Sequence, residues 1–215
     1  MVLGIYGSGK LGREVLELAK IINERKNSWE KIIFIGGVDP VVNGVKVYTY
    51  EEACNEFGED LEITIGVGEP AGREKLFKEL VRDGAKLTTL IHPDVHVPDT
   101  TTIGKGVIIQ AGCFISCNST ICDAVLIQPM VAIGHDNVIN EGCVLSTMVC
   151  VAGNVELGKY TYVGLSSAIK EEVKIGNYTI IGMYSAVYKD VPDEMIAMGN
   201  PARPMKKNEE HKVFD

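Results

Sequence analysis

The chain has 215 residues, 46% of them hydrophobic, and a formal net charge of −8. This acidity argues against nucleic acid as the main partner, since binding phosphate groups needs clustered Lys and Arg. The N-terminal MVLGIYGSGK lacks the regions of a signal peptide, no apolar run approaches the ~18 residues of a membrane span, and the six cysteines form no CxxC pair. We therefore expect a cytoplasmic protein without metal, membrane insertion or a nucleic-acid partner.

Residues 1 to about 90 alternate between apolar strands and amphipathic helices. The predicted strands are VLGIYG (2–7), KIIFIGG (31–37), LEITIGVG (61–68) and KLTTLI (86–91), and the predicted helices span 10–26, 51–57 and 72–85. One face of the first helix carries Leu11, Val15, Leu18 and Ile22, and one face of the last carries Leu76, Phe77, Leu80 and Val81. Strand–helix alternation implies a parallel sheet, so we predict a small Rossmann-like domain over residues 1–92.

The segment GSGKLG, residues 7–12, is a GxGxxG turn between the first strand and the first helix. Such a turn lets a phosphate approach the backbone amides at a helix N-terminus. Asp39, after the second strand, could accept a ribose hydroxyl as in NAD-binding folds. However, only about 90 residues precede the next pattern, which is enough for one mononucleotide. The remaining alternative is that these glycines serve only a tight turn and close packing, and bind no ligand.

From Val97 onward the sequence repeats with a period of six. Each sixth residue is Val, Ile or Leu: Val97, Ile103, Ile109, Ile115, Ile121, Ile127, Ile133, Ile139, Leu145, Val151, Leu157, Val163, Ile169, Ile175, Ile181 and Val187. The fifth position of nearly every hexad is small or β-branched, and Asn137 is an exception. A hexapeptide period indicates a parallel β-helix, whose stacked turns share one core. A β-sandwich would instead space its strands irregularly.

The segment IGHDNVIN, residues 133–140, contains an adjacent His135 and Asp136. Ile133 opens this hexad, so His135 is its third residue. Because the first and fifth positions point inward, the third position projects outward, and a core histidine is not expected. His135 is therefore either a solvated side chain without a role or a base whose tautomer Asp136 holds.

The repeat resembles the left-handed β-helix acyltransferases of the hexapeptide-repeat family. The chain is similar to nucleotide-sugar acetyltransferases of the PglD and NeuD type in four motifs. These are the glycine-rich first turn, GHD inside the repeat, AGNVELG after it, and GNPAR near the end. The resemblance implies coils of three hexads, so the fifteen hexads of 97–186 give about five coils. It also implies a β-helix domain at 93–191 and a coenzyme-binding tail at 192–215.

The implied eighteen-residue coil places Gly153 one coil after His135. In the resembled enzymes the His of this motif is the general base, the following acid supports it, and the glycine one coil later donates to the oxyanion. These roles fall on His135, Asp136 and Gly153. We expect Asn137 to form hydrogen bonds beneath this turn.

The resemblance also implies the ligand sites. A nucleotide-sugar would contact Gly7, Ser8, Gly9, Lys10, Gly12, Asp39, Gly68 and Gln128. Acetyl-CoA, bound between two subunits of a homotrimer, would contact Gly164, Ala168, Lys170, Gly182, Met183, Gly199, Pro201, Arg203 and Lys206. Lys10 and Gln128 stand where the family commonly has His and Asn, and a second family His is missing near Val144.

The resemblance implies transfer of acetyl from acetyl-CoA to the amino group of a nucleotide-linked sugar, such as a 4-amino-4,6-dideoxy sugar of a bacterial surface glycan. Transfer is expected to be direct, since no Ser or Cys lies in a nucleophile motif. The alternative within enzymes is O-acetylation of sialic acid or another sugar hydroxyl. The alternative of another class is a non-catalytic trimeric scaffold that binds nucleotide.

Overall fold

The computed structural model describes residues 1–214, as an α/β unit followed by a β-helix. The helices are α1 (Lys10–Lys26), α2 (Tyr50–Phe57) and α3 (Pro70–Arg82). The strands of the α/β unit are β1 (Val2–Tyr6), β2 (Lys31–Ile35), β3 (Val41–Val42), β4 (Val45–Tyr48), β5 (Leu61–Ile65) and β6 (Lys86–Leu87). The predicted fold class, a small α/β domain followed by a left-handed β-helix of about five coils, is confirmed.

The strands of the β-helix are very short. They are β7 (Leu90–Ile91), β8 (Thr102–Ile103), β9 (Ile108–Ile109), β10 (Phe114–Ile115), β11 (Thr120–Ile121), β12 (Leu126–Ile127), β13 (Ala132–Ile133), β14 (Val138–Ile139), β15 (Val144–Leu145), β16 (Cys150–Val151), β17 (Glu156–Leu157), β18 (Tyr162–Val163), β19 (Ala168–Ile169), β20 (Lys174–Ile175), β21 (Ile180–Ile181) and β22 (Ala186–Val187). A hairpin of β23 (Met195–Gly199) and β24 (Ala202–Lys207) follows, and β23 pairs with β21.

The sheet of the α/β unit has the order β3-β4-β2-β1-β5-β6 and is parallel except for the β3–β4 pair. Local sequence explains its helix ends. Thr49 caps α2 and accepts a hydrogen bond from the Glu52 amide, while the Glu52 carboxylate accepts one from the Thr49 amide. α1 ends where Asn27 adopts the left-handed conformation, with φ of 49°. α3 begins at Pro70, whose missing N–H is not needed in a first turn.

The structure corrects the sequence-based prediction at three places in the α/β unit. KLTTLI is not one strand: β6 pairs with β5, whereas β7 pairs with β9 of the β-helix. Between β6 and β7, the Thr89 hydroxyl donates to Gly104 O of the β-helix at 2.9 Å. The β3–β4 hairpin was missed, although Asn43-Gly44, both with positive φ, is a recognisable two-residue turn. Val81 is 54% exposed, outside the buried face of α3.

Three faces form the prism of the β-helix. The first face contains β7, β9, β12, β15, β18 and β21, the second β10, β13, β16, β19 and β22, and the third β8, β11, β14, β17 and β20. Partners on each of these faces are eighteen residues apart, as in Ala132↔Cys150 and Ile133↔Val151. We name the corners in chain order. The first corner joins the first face to the second face, and the second corner joins the second face to the third face. The third corner joins the third face to the first face of the next coil.

The fifth position of the hexad points into the prism, and most hydroxyl side chains there form the same hydrogen bond. A buried hydroxyl donates to the carbonyl fifteen residues later, in the next coil. Thr161 thus donates to Gly176 O at 2.7 Å, and Ser167 to Gly182 O at 2.8 Å. These bonds satisfy turn carbonyls that the strand ladder leaves inside the prism.

The α/β unit packs on the first face and the third corner of the prism. α1 lies between the sheet and the first face, so that Leu16 and Phe34 share one apolar cluster with Leu126 and Val144. Burying apolar surface from both units in one cluster fixes α1 against the prism.

A buried arginine completes this interface. The guanidinium of Arg73 is fully buried and donates to Ile65 O, Val67 O and Ala124 O over 2.6–3.0 Å. Burial lowers the pKa of Arg73 to about 9, so the side chain stays charged at neutral pH. It ties the end of β5 to the third corner of the prism.

Replacing Arg73 by Met would leave buried carbonyl oxygens without their donor. We expect the free energy of unfolding to fall by about 3 kcal/mol. Arg73→Lys should recover only part of this loss, because an ammonium group cannot span these carbonyls as the planar fork does. Urea unfolding, followed by the fluorescence of the buried Trp29, measures both variants.

The matched control is Arg82→Met at the end of the same helix. Arg82 pairs with Asp83 at 3.0 Å, but its side chain is 74% exposed, so its loss should change the free energy of unfolding by less than about 1 kcal/mol. Equal losses in Arg73→Met and Arg82→Met would contradict the role of Arg73.

Candidate active site

The His–Asp pair lies on the second corner of the prism. His135 Nδ1 is 2.7 Å from Asp136 Oδ2, and the two side chains are 62% and 50% exposed. Hydrogen bonds from His135 and Asn118 lower the pKa of Asp136 below its ordinary value. The Asp136 carboxylate therefore stays ionised at neutral pH, where it accepts from Nδ1–H and leaves Nε2 as the basic nitrogen.

The imidazole of His135 packs directly on Gly153 of the next coil. A Cβ atom at Gly153 would lie 2.6 Å from both Cε1 and Nε2 of His135. Any side chain at this position would therefore displace the ring. The Gly153 amide donates to no acceptor within residues 1–214, so it is free to bind an oxygen of a ligand.

Asn137 lies inside the prism beneath these two residues. Its side chain is fully buried. Nδ2 donates to Gly134 O at 2.8 Å and to Ala152 O at 2.9 Å, while Oδ1 accepts from Val155 N at 2.6 Å. The expectation that Asn137 forms hydrogen bonds beneath the turn is confirmed.

A cleft of about 570 Å³ lies between the α/β unit and the first face. Five of the residues predicted to contact a nucleotide-sugar line it: Gly7, Gly9, Lys10, Gly68 and Gln128. They come from the turn before α1, the first residue of α1, the turn after β5, and the first corner of the prism. The amides that begin α1 make this wall of the cleft suitable for a phosphate.

The other three residues of the predicted set lie outside the cleft lining. The Ser8 hydroxyl donates to Gly36 O at 3.1 Å, on the β2 side of the turn. Gly12 lies behind the turn, where a Cβ would be 1.9 Å from Gly7 O. Asp39 is exposed in the segment that follows β2. The sequence could not place them, because their positions depend on contacts between strands.

Several lining residues were missed at the sequence level. Leu126, Val144 and Tyr162 form an outward column of the first face. These side chains are larger than Ala132 and Ala168 on the second face, and this difference in the sequence indicates that the two faces have different neighbours.

The C-terminal segment also reaches the cleft. Phe214 lines it and meets the Tyr162 ring edge-on, with ring centroids 5.5 Å apart. The Glu69 carboxylate accepts from the amides of Val213 and Phe214, both at 3.0 Å. No local pattern in the sequence indicates this contact.

The residues predicted to bind coenzyme surround the second face. Gly164, Gly182 and Met183 form part of the first corner, Ala168 lies on the face itself, and Lys170 is on the second corner. In the terminal hairpin, Gly199 ends the inner strand and Pro201 lies in the turn. Arg203 and Lys206 are on the outer strand. The set therefore borders one surface toward the C-terminal end of the prism.

The structure does not bring the His–Asp pair and the cleft together within one chain. His135 is on the second corner, whereas the cleft opens on the first face and reaches the first corner at Gln128. The second face lies between them.

No helix within residues 1–214 is long and apolar enough to cross a membrane. In the same part of the chain, no group of three or more His, Cys, Asp or Glu side chains could hold a metal ion.

Comparison with solved structures gives matches along nearly the whole chain. The acetyltransferase domain of PglB from Neisseria gonorrhoeae is 26% identical, covers 95% of this chain and 99% of its own, and has a TM-score of 0.88; it has also been solved with acetyl coenzyme A. PerB from Caulobacter crescentus, solved with CoA and GDP-perosamine, is 28% identical, covers 96% of this chain and 98% of its own, and has a TM-score of 0.81. No family model and no curated protein matches. One neighbour is an acetyltransferase domain and the Caulobacter crescentus protein is a GDP-perosamine N-acetyltransferase, which confirms the resemblance inferred from the motifs.

Alanine substitutions at Gly12 and Gly9 compare a crowded and an open position of the glycine turn. In Gly12→Ala the new methyl group would overlap the Gly7 backbone, so we expect the free energy of unfolding to fall by about 2 kcal/mol. At Gly9 a Cβ meets no atom within 4 Å, and Gly9→Ala should change it by less than about 1 kcal/mol. Thermal unfolding compares the two, and equal effects would contradict the packing role of Gly12.

Proposed function

We propose that this chain is an acetyl-CoA-dependent N-acetyltransferase that acts on a nucleotide-linked amino sugar in bacterial surface glycan biosynthesis. The observation that carries the proposal is the His135–Asp136 pair packed against the free amide of Gly153. A base and an oxyanion donor are the two groups that direct acyl transfer to an amine requires. The structural neighbours support the proposal, since PerB was solved with CoA and GDP-perosamine.

The chemistry follows from this geometry. His135 Nε2 accepts a proton from the sugar amine as the amine nitrogen attacks the thioester carbonyl carbon. The Gly153 amide donates to the oxygen that becomes negative, and Asp136 stabilises the imidazolium. When the tetrahedral intermediate collapses, the C–S bond breaks, and the imidazolium returns a proton to the sulfur. The products are the acetamido sugar and free CoA thiol.

The cleft is the proposed site for the nucleotide-sugar. Gly7, Gly9 and the amides at the start of α1 would meet the diphosphate, and Lys10 adds a positive charge. Tyr162 and Phe214 give the opposite side an apolar, aromatic surface suited to a base or sugar ring. In this proposal Ser8 and Gly12 support the turn, and Asp39 lies outside the cleft lining.

The second face is the proposed surface for a neighbouring subunit, in a homotrimer that binds acetyl-CoA between prisms. Its outward residues are mostly small: Ala132, Cys150, Ala168 and Ala186. The adjoining first corner exposes a row of apolar side chains: Met130, Met148, Met183 and Tyr184. An apolar stripe of this kind is suited to burial between subunits. A neighbour packed here would bring its His135 toward the cleft, which the single chain does not do.

An acceptor panel tests the proposed function. Release of CoA thiol is measured with UDP-, dTDP- and GDP-linked 4-amino sugars, and with hydroxyl acceptors that include sialic acid. We expect release with an amino sugar. Release only with hydroxyl acceptors would replace N-acetylation by O-acetylation. Coenzyme binding without release from any acceptor would favour the non-catalytic scaffold. The expected cytoplasmic location stays a prediction.

Substitution of His135 tests its proposed role as the base. His135→Ala removes the proton acceptor, so we expect kcat to fall by about 10²-fold or more. Coenzyme binding should remain, because His135 is not among the residues assigned to coenzyme. Steady-state kinetics and calorimetric titration with CoA measure the two effects. Near-normal turnover would refute the assignment.

If each active site is formed by two subunits, two inactive variants should complement each other. His135→Ala removes the base, and Gly68→Trp fills the cleft; a Cβ at Gly68 would meet Leu11 at an ordinary contact distance of 3.6 Å. If each site combines the base of one subunit with the cleft of another, each mixed trimer keeps one intact site and should recover about a third of wild-type activity. Co-expression with two affinity tags and a thiol-release assay measures this. A site within one chain would give no recovery.

A further inference from the structure

A buried amide is unusual in the core of this prism, and the mechanism above does not use it. In the same column, eighteen residues apart, the fifth positions are Thr101, Ser119, Asn137, Val155 and Val173. The valines show that a polar side chain is not needed for the coil to stack. Burying an amide is unfavourable unless its hydrogen bonds are made, and Asn137 makes them with the two turns that carry His135 and Gly153.

We propose that Asn137 is a positioning residue that holds the Gly153 amide outward, ready to bind the oxyanion. This inference rests on the proposed function and deepens it. Ala152 O and Gly153 N–H belong to one peptide group, and in a trans peptide the two point in opposite directions. Asn137 Nδ2 holds Ala152 O inside the prism at 2.9 Å. The Gly153 N–H must then point outward, on the surface where the His135 ring lies.

Asn137 is the critical partner for this peptide. Within residues 1–214 it is the one side chain that donates to Ala152 O. The carbonyl of the preceding turn has two donors, since Gly134 O also accepts from the Ser119 hydroxyl at 3.1 Å. Loss of Asn137 would therefore leave the Gly134 turn held and would free the turn at Gly153.

The third corner shows what an outward amide at this position of the hexad does. Lys105 N–H donates to Asp123 Oδ1 at 2.7 Å, and Lys159 N–H donates to Asn177 Oδ1 at 2.8 Å. Each acceptor is a side-chain oxygen of the following coil. Gly153 occupies the same position of its hexad, but the following coil offers Glu171, whose carboxylate lies 3.1 Å from Lys170 Nζ. The donor position that is filled at Lys105 and Lys159 is thus available at Gly153.

A pair of nearly isosteric variants separates the hydrogen bond from side-chain volume. Asn137→Thr keeps a donor for Ala152 O, by the rule that Thr161 follows with Gly176 O. Asn137→Val has similar volume and no donor. Since removing an oxyanion donor costs about 10²–10³-fold in kcat, we expect Asn137→Val to lose at least about 10-fold in kcat. KM should change little, and Asn137→Thr should stay within about threefold of wild type.

Thr161→Val is the matched control, because it removes one buried hydroxyl-to-carbonyl bond at the third corner, away from His135. It should lower the unfolding temperature, though less than Asn137→Val, which removes three hydrogen bonds, and it should leave kcat unchanged. If Thr161→Val lowers kcat equally, or if Asn137→Thr is as slow as Asn137→Val, Asn137 has no positioning role.

A second measurement does not depend on activity. The ¹H–¹⁵N resonance of Gly153, in glycine-labelled protein and assigned by its loss in Gly153→Ala, reports the orientation of this amide. It should move in Asn137→Val and stay in place in Asn137→Thr and Thr161→Val. An unmoved resonance in Asn137→Val would overturn the inference. If the wild type acetylates no acceptor while the resonance moves as expected, the proposed function fails and the positioning of Gly153 stands.

Discussion

The stacking of each coil on the next, at a repeat of eighteen residues, is the constraint on which the rest of the structure depends. Ile133 lies beside Val151 because every coil has the same length. An inward side chain therefore stays inward along the prism, and an outward one stays outward. The same register sets Gly153 against the His135 ring. It also places the buried amide of Asn137 between the two turns, where its hydrogen bonds offset the cost of burial.

The constant register also produces three faces that carry different side chains. Bulky residues such as Leu126 and Tyr162 make the first face an apolar surface that α1 covers. Small residues such as Ala132 and Ala168 leave the second face flat, and this is the surface proposed for a neighbouring subunit. Arg73 then fixes the α/β unit to the third corner. The cleft takes its shape from this attachment, because the turn after β5 is held by the same guanidinium.

Much of the candidate site could be predicted from the sequence, because its residues follow the repeat. The register placed His135 outward, and the coil length inferred from the family placed Gly153 beside it. The glycine turn was recognisable, but only part of its predicted set lines the cleft. Ser8 turns toward Gly36 O and Asp39 follows β2, since the sheet order and not the motif decides which side of the turn meets the prism.

The sequence by itself determined the architecture: an α/β unit, then a β-helix, with each inward residue known. A period of six is a local property, and an apolar side chain at every sixth position has one stable solution, stacked turns around a shared core. Only the tertiary structure decided that Leu90–Ile91 joins the β-helix, that Phe214 enters the cleft, and that His135 and the cleft lie on separate parts of the prism. These facts depend on contacts between residues far apart in the chain, which no local period encodes.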